Sequence, residues 1–328
     1  MRALIVGAGA VGQVYGHHLA RGGAEVSVYV RPKRRAEAIS GTRLTRVRPV
    51  GRRLTETFQP VRALTSAAEV AAAGPFEQIW LCVPTTALDE ELVRAATAAS
   101  PRATVVVLAP GHFVAELANR VLGERRTVFG VIGMASYLAP MEGSDDPRET
   151  STPAGIAYFL AMTRLSSASE RRALEAVSAL RAGGCPAEVV PDASRDGAFG
   201  SAALMPVVAS LEISGWSFRE LREGTTLDLT AAAIDESLAV AAARTGRAPP
   251  IPELARSAPA LRLASHLARW APLDIEGFLR VHFVKVGEQT ALLLAQNVSE
   301  AQRLGLPCAA LEQLLAELQA ARLTSAPA

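Results

Sequence analysis

The sequence predicts an α/β domain built on a parallel sheet, followed by an all-helical domain. Three observations predict it. Short apolar runs alternate with helix-period stretches through residues 1–191, the pattern of strands joined by crossover helices. The runs ALIV, QIWLCV and TVVVLA are continuously apolar, as strands buried on both faces must be. From residue 192 to 328 nearly everything follows a 3.6-residue period. The boundary is placed near Asp192, giving domains 1–191 and 192–328.

The elements follow in order. ALIV (3–6) reads as a strand, and Ala10 to Arg21 as a helix closed by Gly22-Gly23. EVSVYV (25–30) is a second strand, and the basic, β-rich stretch 43–60 reads as a hairpin. QIWLCV (78–83), TVVVLA (104–109) and TVFGVI (127–132) are further strands, with helices from about Leu88 and over 112–121. Tyr137 to Pro153, rich in proline, glycine and mixed charge, reads as a loop. IAYFLA (156–161), a helix over 168–182 and AEVVP (187–191) complete the α/β layer. The helical domain is broken at RAPPIP (247–252) and WAPL (270–273), and its last helices cover about 276–304 and 308–323.

Bulk properties exclude several classes. With 34 Lys+Arg against 32 Asp+Glu, the net charge of +2 argues against nucleic acid as the main partner. Met1-Arg2 leads directly into the first strand, which leaves no room for a signal peptide. The longest uncharged run, Gly197 to Leu211, is too short to span a bilayer. Cys82, Cys185 and Cys308 are far apart, with neither disulfide nor metal-site spacing. The expectation is a cytoplasmic protein with reduced thiols and no metal, nucleic-acid or membrane partner.

GAGAVG (7–12) follows the first strand and opens the first helix. That context reads as the dinucleotide turn of a Rossmann domain. Gly7 permits the tight turn, Gly9 lets the backbone approach a pyrophosphate, and Gly12 allows helix to pack on strand. Ala10 and Val11 open the helix, whose free N–H groups favour an anion. The second strand selects the cofactor. Nicotinamide enzymes that prefer the unphosphorylated dinucleotide tend to end this strand in an acid; here it ends YVRPKRR, with no acid before Glu37. Arg31, followed by Lys33, is suited to a 2′-phosphate, so NADP(H) is the expected cofactor.

The opening MRALIVGAGAVGQVYGHHLARGGAEVSVYVR resembles that of the ketopantoate reductase family (the ApbA/PanE type), and IWLCVPT, VVLAPGH, DESLAVAAARTG and AQRLGLPCAALEQL resemble later motifs of the same family in the same order. The resemblance implies a Rossmann domain joined to a helical one, NADPH, and reduction of a 2-keto acid in the cleft. It makes Val83-Pro84 and Pro110-Gly111 the cofactor-facing turns, where the family usually has Val-Lys and Asn-Gly. Aligned on Pro206, the family's catalytic lysine falls on Gly197, and its two asparagines on Ser201 and Met205. The family's chemical residues are thus replaced, and a substrate other than ketopantoate is expected, larger or more apolar.

Substitutes for the missing lysine are sought among ionisable residues. His112, just beyond the fifth strand, is a candidate proton donor. His282, Lys285 and Gln289 in VHFVKVGEQT share a helix face at i, i+3, i+7, with Glu288 one turn from Lys285. Such a face would be half buried, and Lys285 could supply the cation. Glu288 or Gln289, with Glu276 as a rival, falls near the family's acidic residue. Arg195, two residues before the lysine position, could hold a substrate carboxylate. The leading expectation is an NADPH-dependent reductase of a small carbonyl compound, with a homodimer through the helical domain as a further one. An imine reductase of the opine-forming kind and a non-catalytic NADP(H)-binding sensor or assembly protein are the alternatives.

Overall fold

The computed structural model describes residues 1–48, 52–110, 112–144, 146–271 and 273–325, with residues 112, 113, 148 and 325 by backbone alone. Two compact units are present: 1–140 with 147–197, and 141–146 with 198–328.

The first unit begins β1 (Arg2–Val6), α1 (Ala10–Arg21), β2 (Glu25–Tyr29), α2 (Arg35–Ser40), β3 (Thr42–Val47), β4 (Leu54–Phe58), β5 (Arg62–Leu64) and α3 (Ala67–Ala73). It continues β6 (Gln78–Leu81), α4 (Glu90–Thr97), β7 (Thr104–Val107), α5 (His112–Leu122), β8 (Thr127–Val131), β9 (Met134–Ala139) and α6 (Pro147–Thr150). Next come β10 (Gly155–Leu160), β11 (Thr163–Ser166), α7 (Glu170–Ala182), β12 (Ala187–Val189) and α8 (Ala193–Ile213), within which the division between the units falls.

The main sheet has eight strands in the order β12-β11-β8-β7-β6-β1-β2-β5. All its pairings are parallel except β11 with β8. Its strands send alternate residues to two apolar clusters. Ala3, Ile5, Trp80 and Val106 meet α1 and α7 on one face. Leu4, Val6, Ile79, Leu81, Val105 and Val107 meet α3, α4 and α5 on the other. Both faces are covered, which is why these strands are continuously apolar.

A second sheet, β4-β3-β10-β9, departs from the expectation of one α/β layer. The 43–60 hairpin is present as the antiparallel pair β3–β4. IAYFLA, however, lies in this second sheet beside β3, and the main-sheet strand expected there is β11 instead. One apolar run is split at Ala161, whose N–H binds the Gly133 carbonyl (2.8 Å). Gly133 marks the other corner, where β8 gives way to β9. A Cβ on Gly133 would come within 2.3 Å of the Met162 carbonyl carbon, so the two corners press together as only glycine allows. The loop expected over 137–153 is also partly ordered: Tyr137 to Ala139 pair with β10, and the buried Tyr137 hydroxyl donates to Glu149 of α6 (2.9 Å).

The two sheets enclose α1. Gly12 to Leu19 are buried without interruption. On one side Tyr15 stacks on Trp80 (5.6 Å between ring centroids). On the other, Gly16 lies against Phe58 of β4, and the His18 ring meets Tyr158 of β10 edge-on.

The second unit is helical: the later part of α8, then α9 (Phe218–Glu223), α10 (Thr226–Thr245), α11 (Glu253–Arg256), α12 (Ala258–Leu267), α13 (Ile275–Lys285), α14 (Gly287–Leu304) and α15 (Ala309–Ser325). Pro206 stands inside α8, and Ser210 Oγ donates to its carbonyl (2.8 Å). α10 packs against α9, α12, α14 and α15. The Glu236 carboxylate accepts the N–H groups of Ala310 and Leu311 (3.2 and 2.8 Å), capping α15. The helix expected over 276–304 is interrupted at Val286 (φ −118°, ψ 24°), before Gly287. Glycine lowers helix propensity by about 1 kcal/mol relative to alanine, which favours a break there.

Candidate functional site

In the first unit the chain runs from β1 outward through β2 to β5, then returns to the other side of β1 at β6. Ligands of open α/β sheets bind at such a reversal, beyond the carboxyl ends of the strands. The glycine turn lies there. Gly7 has φ +93°, and a Cβ on it would meet Val83 Cγ1 at 2.8 Å. On Gly12 a Cβ would come to 2.0 Å from the Gly7 carbonyl oxygen. At Gly9 it would meet nothing within 4 Å, so the outer side of the turn is open. Gly9 is also the N-cap of α1, with no side-chain cap and no acid in the first turn through Ala10 and Val11. Backbone N–H groups with no side-chain cap, a free approach and no negative charge suit a pyrophosphate. The residues present therefore fit a dinucleotide.

Beyond β2 the chain makes a short 3-10 turn, Pro32–Arg34, flanked by Arg31. The basic residues divide into two kinds. Arg34 pairs with Glu37 (2.6 Å) and Arg35 with Glu69. Arg31 and Lys33 are exposed and have no carboxylate partner among the described residues. The Val30 N–H binds the Leu64 carbonyl (2.9 Å) and the Gly7 N–H binds the Tyr29 carbonyl (3.1 Å), which ties the end of β2 to the glycine turn.

Two further turns join this edge. The Cys82 N–H binds the Val6 carbonyl (2.8 Å), setting Val83 and Pro84 beside the glycine turn. Thr85 Oγ1 donates to the Pro110 carbonyl (2.6 Å), linking the turns after β6 and β7. Thr85 was not singled out in the sequence; its place directly after Pro84 is the signal that could have found it. Gly111 lies outside the described residues. His112 begins α5, and its side chain lies outside them too. Cys82 is a free thiol that burial pushes well above its ordinary pKa, which makes it an inert packing group.

Within the second unit the remaining candidates do not share one helix face. The break at Val286 places His282 and Lys285 on α13 and Glu288 and Gln289 on α14, so the single helix face is lost. Lys285 and Glu288 are exposed rather than half buried, while Gln289 is buried. His282 packs against the rings of Phe278 (5.5 Å) and Phe283 (4.9 Å). Burial there, and secondarily the Lys285 charge, lower its pKa and keep the imidazole neutral. Glu276, the rival acid, accepts the Phe218 N–H (2.6 Å) at the start of α9. Arg195 lies in the first turn of α8, with Nε buried, lacking a hydrogen bond, and 3.8 Å from Asp192 Oδ2. Gly197, one turn of α8 below Ser194, would place a Cβ 3.4 Å from Val131 Cγ2, an ordinary contact.

Residues 3–141 match the profile of the family described as ketopantoate reductase PanE/ApbA. No curated protein matches the sequence. Solved structures match over the full length. A PanE/ApbA family ketopantoate reductase from Ralstonia eutropha JMP134 superposes with TM-score 0.72 at 20% identity, covering 99% of each chain. The 2-dehydropantoate 2-reductase of Methylococcus capsulatus gives 0.70 at 19%, covering 100% of this chain and 99% of that one. D-mandelate dehydrogenase, solved with NADH and anilino(oxo)acetate, gives 0.71 at 14%, covering 99% of each. Residues 3–141 are thus similar to the ketopantoate reductase PanE/ApbA family, and the fold of the whole chain is that of the solved ketopantoate reductases.

Proposed function

We propose that the protein is an NADPH-dependent reductase of a carbonyl compound, a 2-keto acid or close analogue other than ketopantoate. The observation that carries the cofactor is the pair Arg31 and Lys33, which have no carboxylate partner beyond β2 next to an open glycine turn. A guanidinium in that position favours a 2′-phosphate, and the absence of an acid removes the usual grip on a free ribose hydroxyl. The solved relatives support a nicotinamide dinucleotide in this fold, with NADH in D-mandelate dehydrogenase.

When bound, the dihydronicotinamide would supply a hydride to the carbonyl carbon. The chain's own residues then have three tasks. Gly7, Gly9 and the first N–H groups of α1 hold the pyrophosphate. Arg195, with an unsatisfied buried Nε, pairs with the substrate carboxylate bidentately. A proton donor must stabilise the developing alkoxide, and His112, at the start of α5 just beyond β7, takes that role in place of the family's lysine. His282 is held neutral between two rings and acts only as a neutral hydrogen-bond donor.

The test is incubation with NADPH deuterated at C4 and a panel of 2-keto acids of increasing apolar size. Deuterium at C2 of a hydroxy acid is the expected result. If NADPH binds and no panel member takes up label, the reductase reading gives way to a non-catalytic NADP(H)-binding protein.

A further inference from the structure

Gln13 is the fourth residue of α1, one place past the last glycine of the turn, and it is only 7% exposed. A primary amide so buried loses its water and needs a partner inside the fold. Helix side chains lean towards the N-terminus, so one at the fourth position reaches back over the first turn. Gln13 does this. Its Nε2 donates to the Ala8 carbonyl (3.2 Å), while its backbone N–H donates to the Gly9 carbonyl (3.0 Å) in the helix ladder. Ala8 lies between Gly7 and Gly9, at the tip of the turn.

This bond fixes more than a carbonyl. The peptide joining Ala8 to Gly9 is trans and planar, so its C=O and N–H point in opposite directions. Holding the Ala8 oxygen against Gln13 therefore turns the Gly9 N–H away from that side chain. At Gly9 an added Cβ would meet nothing within 4 Å, and no side chain caps the helix there. Glycine resists rotation less than any other residue, so without the glutamine this peptide unit would be free to turn over. A reversed unit would present a carbonyl oxygen where an anion needs a donor.

We propose that Gln13 is a positioning residue of the dinucleotide site, holding the Ala8–Gly9 peptide so that the Gly9 N–H is aimed at the pyrophosphate. It acts on the group common to both nicotinamide dinucleotides, and not on the 2′-phosphate assigned to Arg31. The inference rests on the reading of this turn as a dinucleotide site, and it adds a side chain that the spacing of the glycines does not report.

Gln13→Met keeps an unbranched side chain and a good helix former while removing the donor. The full-length protein and the variant are titrated with NADPH, with NADH, and with adenosine 2′-monophosphate, which has the 2′-phosphate but no pyrophosphate and is measured by its displacement of NADPH. The expected result is about tenfold weaker binding of NADPH and NADH alike, through loss of preorganisation, with adenosine 2′-monophosphate unchanged. Without ligand, deuterium exchange should quicken at residues 7–12 of the variant and stay the same over 13–21. Gln13→Glu, of the same shape but without a donor when ionised, should lose at least as much. Undiminished dinucleotide binding by the variants overturns the proposal. So does a loss that extends to adenosine 2′-monophosphate and to exchange along the whole helix, which is the mark of damaged packing. If the unaltered protein binds neither dinucleotide, the reading of the turn itself fails and takes this inference with it; if it binds and the variants bind equally well, this inference alone falls.

Discussion

Arg31 and Gly197 are the two residues whose neighbours say most about function. Arg31 is exposed, next to arginines already committed to Glu37 and Glu69. Arg31→Ala is expected to weaken NADPH binding about tenfold or more, roughly 1.4 kcal/mol, and to leave NADH nearly unchanged. Fluorescence titration with both dinucleotides measures the ratio, and an equal loss for both would remove Arg31 from the phosphate site. Gly197 would place a Cβ in ordinary contact with Val131 and nothing closer. Gly197→Lys should therefore fold, with its unfolding temperature near that of the parent, and should raise turnover of ketopantoate if the family's lysine position has been aligned correctly. The glycine turn was legible in the sequence because its spacing is dictated by backbone geometry, which side-chain divergence does not alter. The His282, Lys285 and Glu288 grouping was not, because one irregular residue, Val286, separates them and no periodicity reports it.

Among the elements, α1 shows most plainly what composition can hide. Its two consecutive histidines, His17 and His18, are both buried between the two sheets. His18 Nδ1 donates to the Gly183 carbonyl (2.8 Å), while its Nε2 has no partner. Burial therefore lowers its pKa to about 4, and the charges of His17, Arg46 and Arg21 act in the same direction. His17 is also lowered, by burial first, although Glu56 opposes the shift from 3.5 Å. A histidine kept neutral in the fold favours the folded state fully above its unfolded pKa of about 6.5. That contribution is lost as pH falls through 6.5 towards 4, because the unfolded chain takes up the proton first. For His18 the loss is roughly 3 kcal/mol across that window. Urea unfolding at pH 7.5 and 5 should show about 2 kcal/mol of it, and His18→Asn, which keeps a donor for Gly183, should flatten the dependence. The main-sheet strands were visible as continuous apolar runs. The second sheet was not, because its strands β3 and β10 are fragments of stretches that read as a hairpin and as one more main-sheet strand.

Across the whole molecule, the family match covers residues 3–141 while the structural match covers nearly all of the chain. The family match ends at residue 141, ahead of β10 to β12 as well as of the helices, and packing tolerates substitution as long as apolar volume is kept. The helical class of the second unit was still legible, since a 3.6-residue period survives such exchange. No helix among the described residues is long and apolar enough to cross a membrane. A ligand that binds only the folded chain stabilises it by mass action, about 2.7 kcal/mol at a hundredfold excess over Kd. Thermal unfolding should therefore rise with NADPH and rise less with NADH at equal concentration; equal shifts would contradict the assignment of NADP(H).

The enclosure of α1 has a consequence for the clock of the molecule. A helix with protein on both flanks cannot open without parting two sheets, so its amides should exchange with deuterium only through rare, large-scale unfolding. The buried run from Gly12 to Leu19 should be among the last peptides to label, with or without nucleotide. The turn that precedes it, anchored on so slow an element, would meet each dinucleotide already shaped, so added cofactor should slow labelling in the 31–35 stretch far more than in the helix itself.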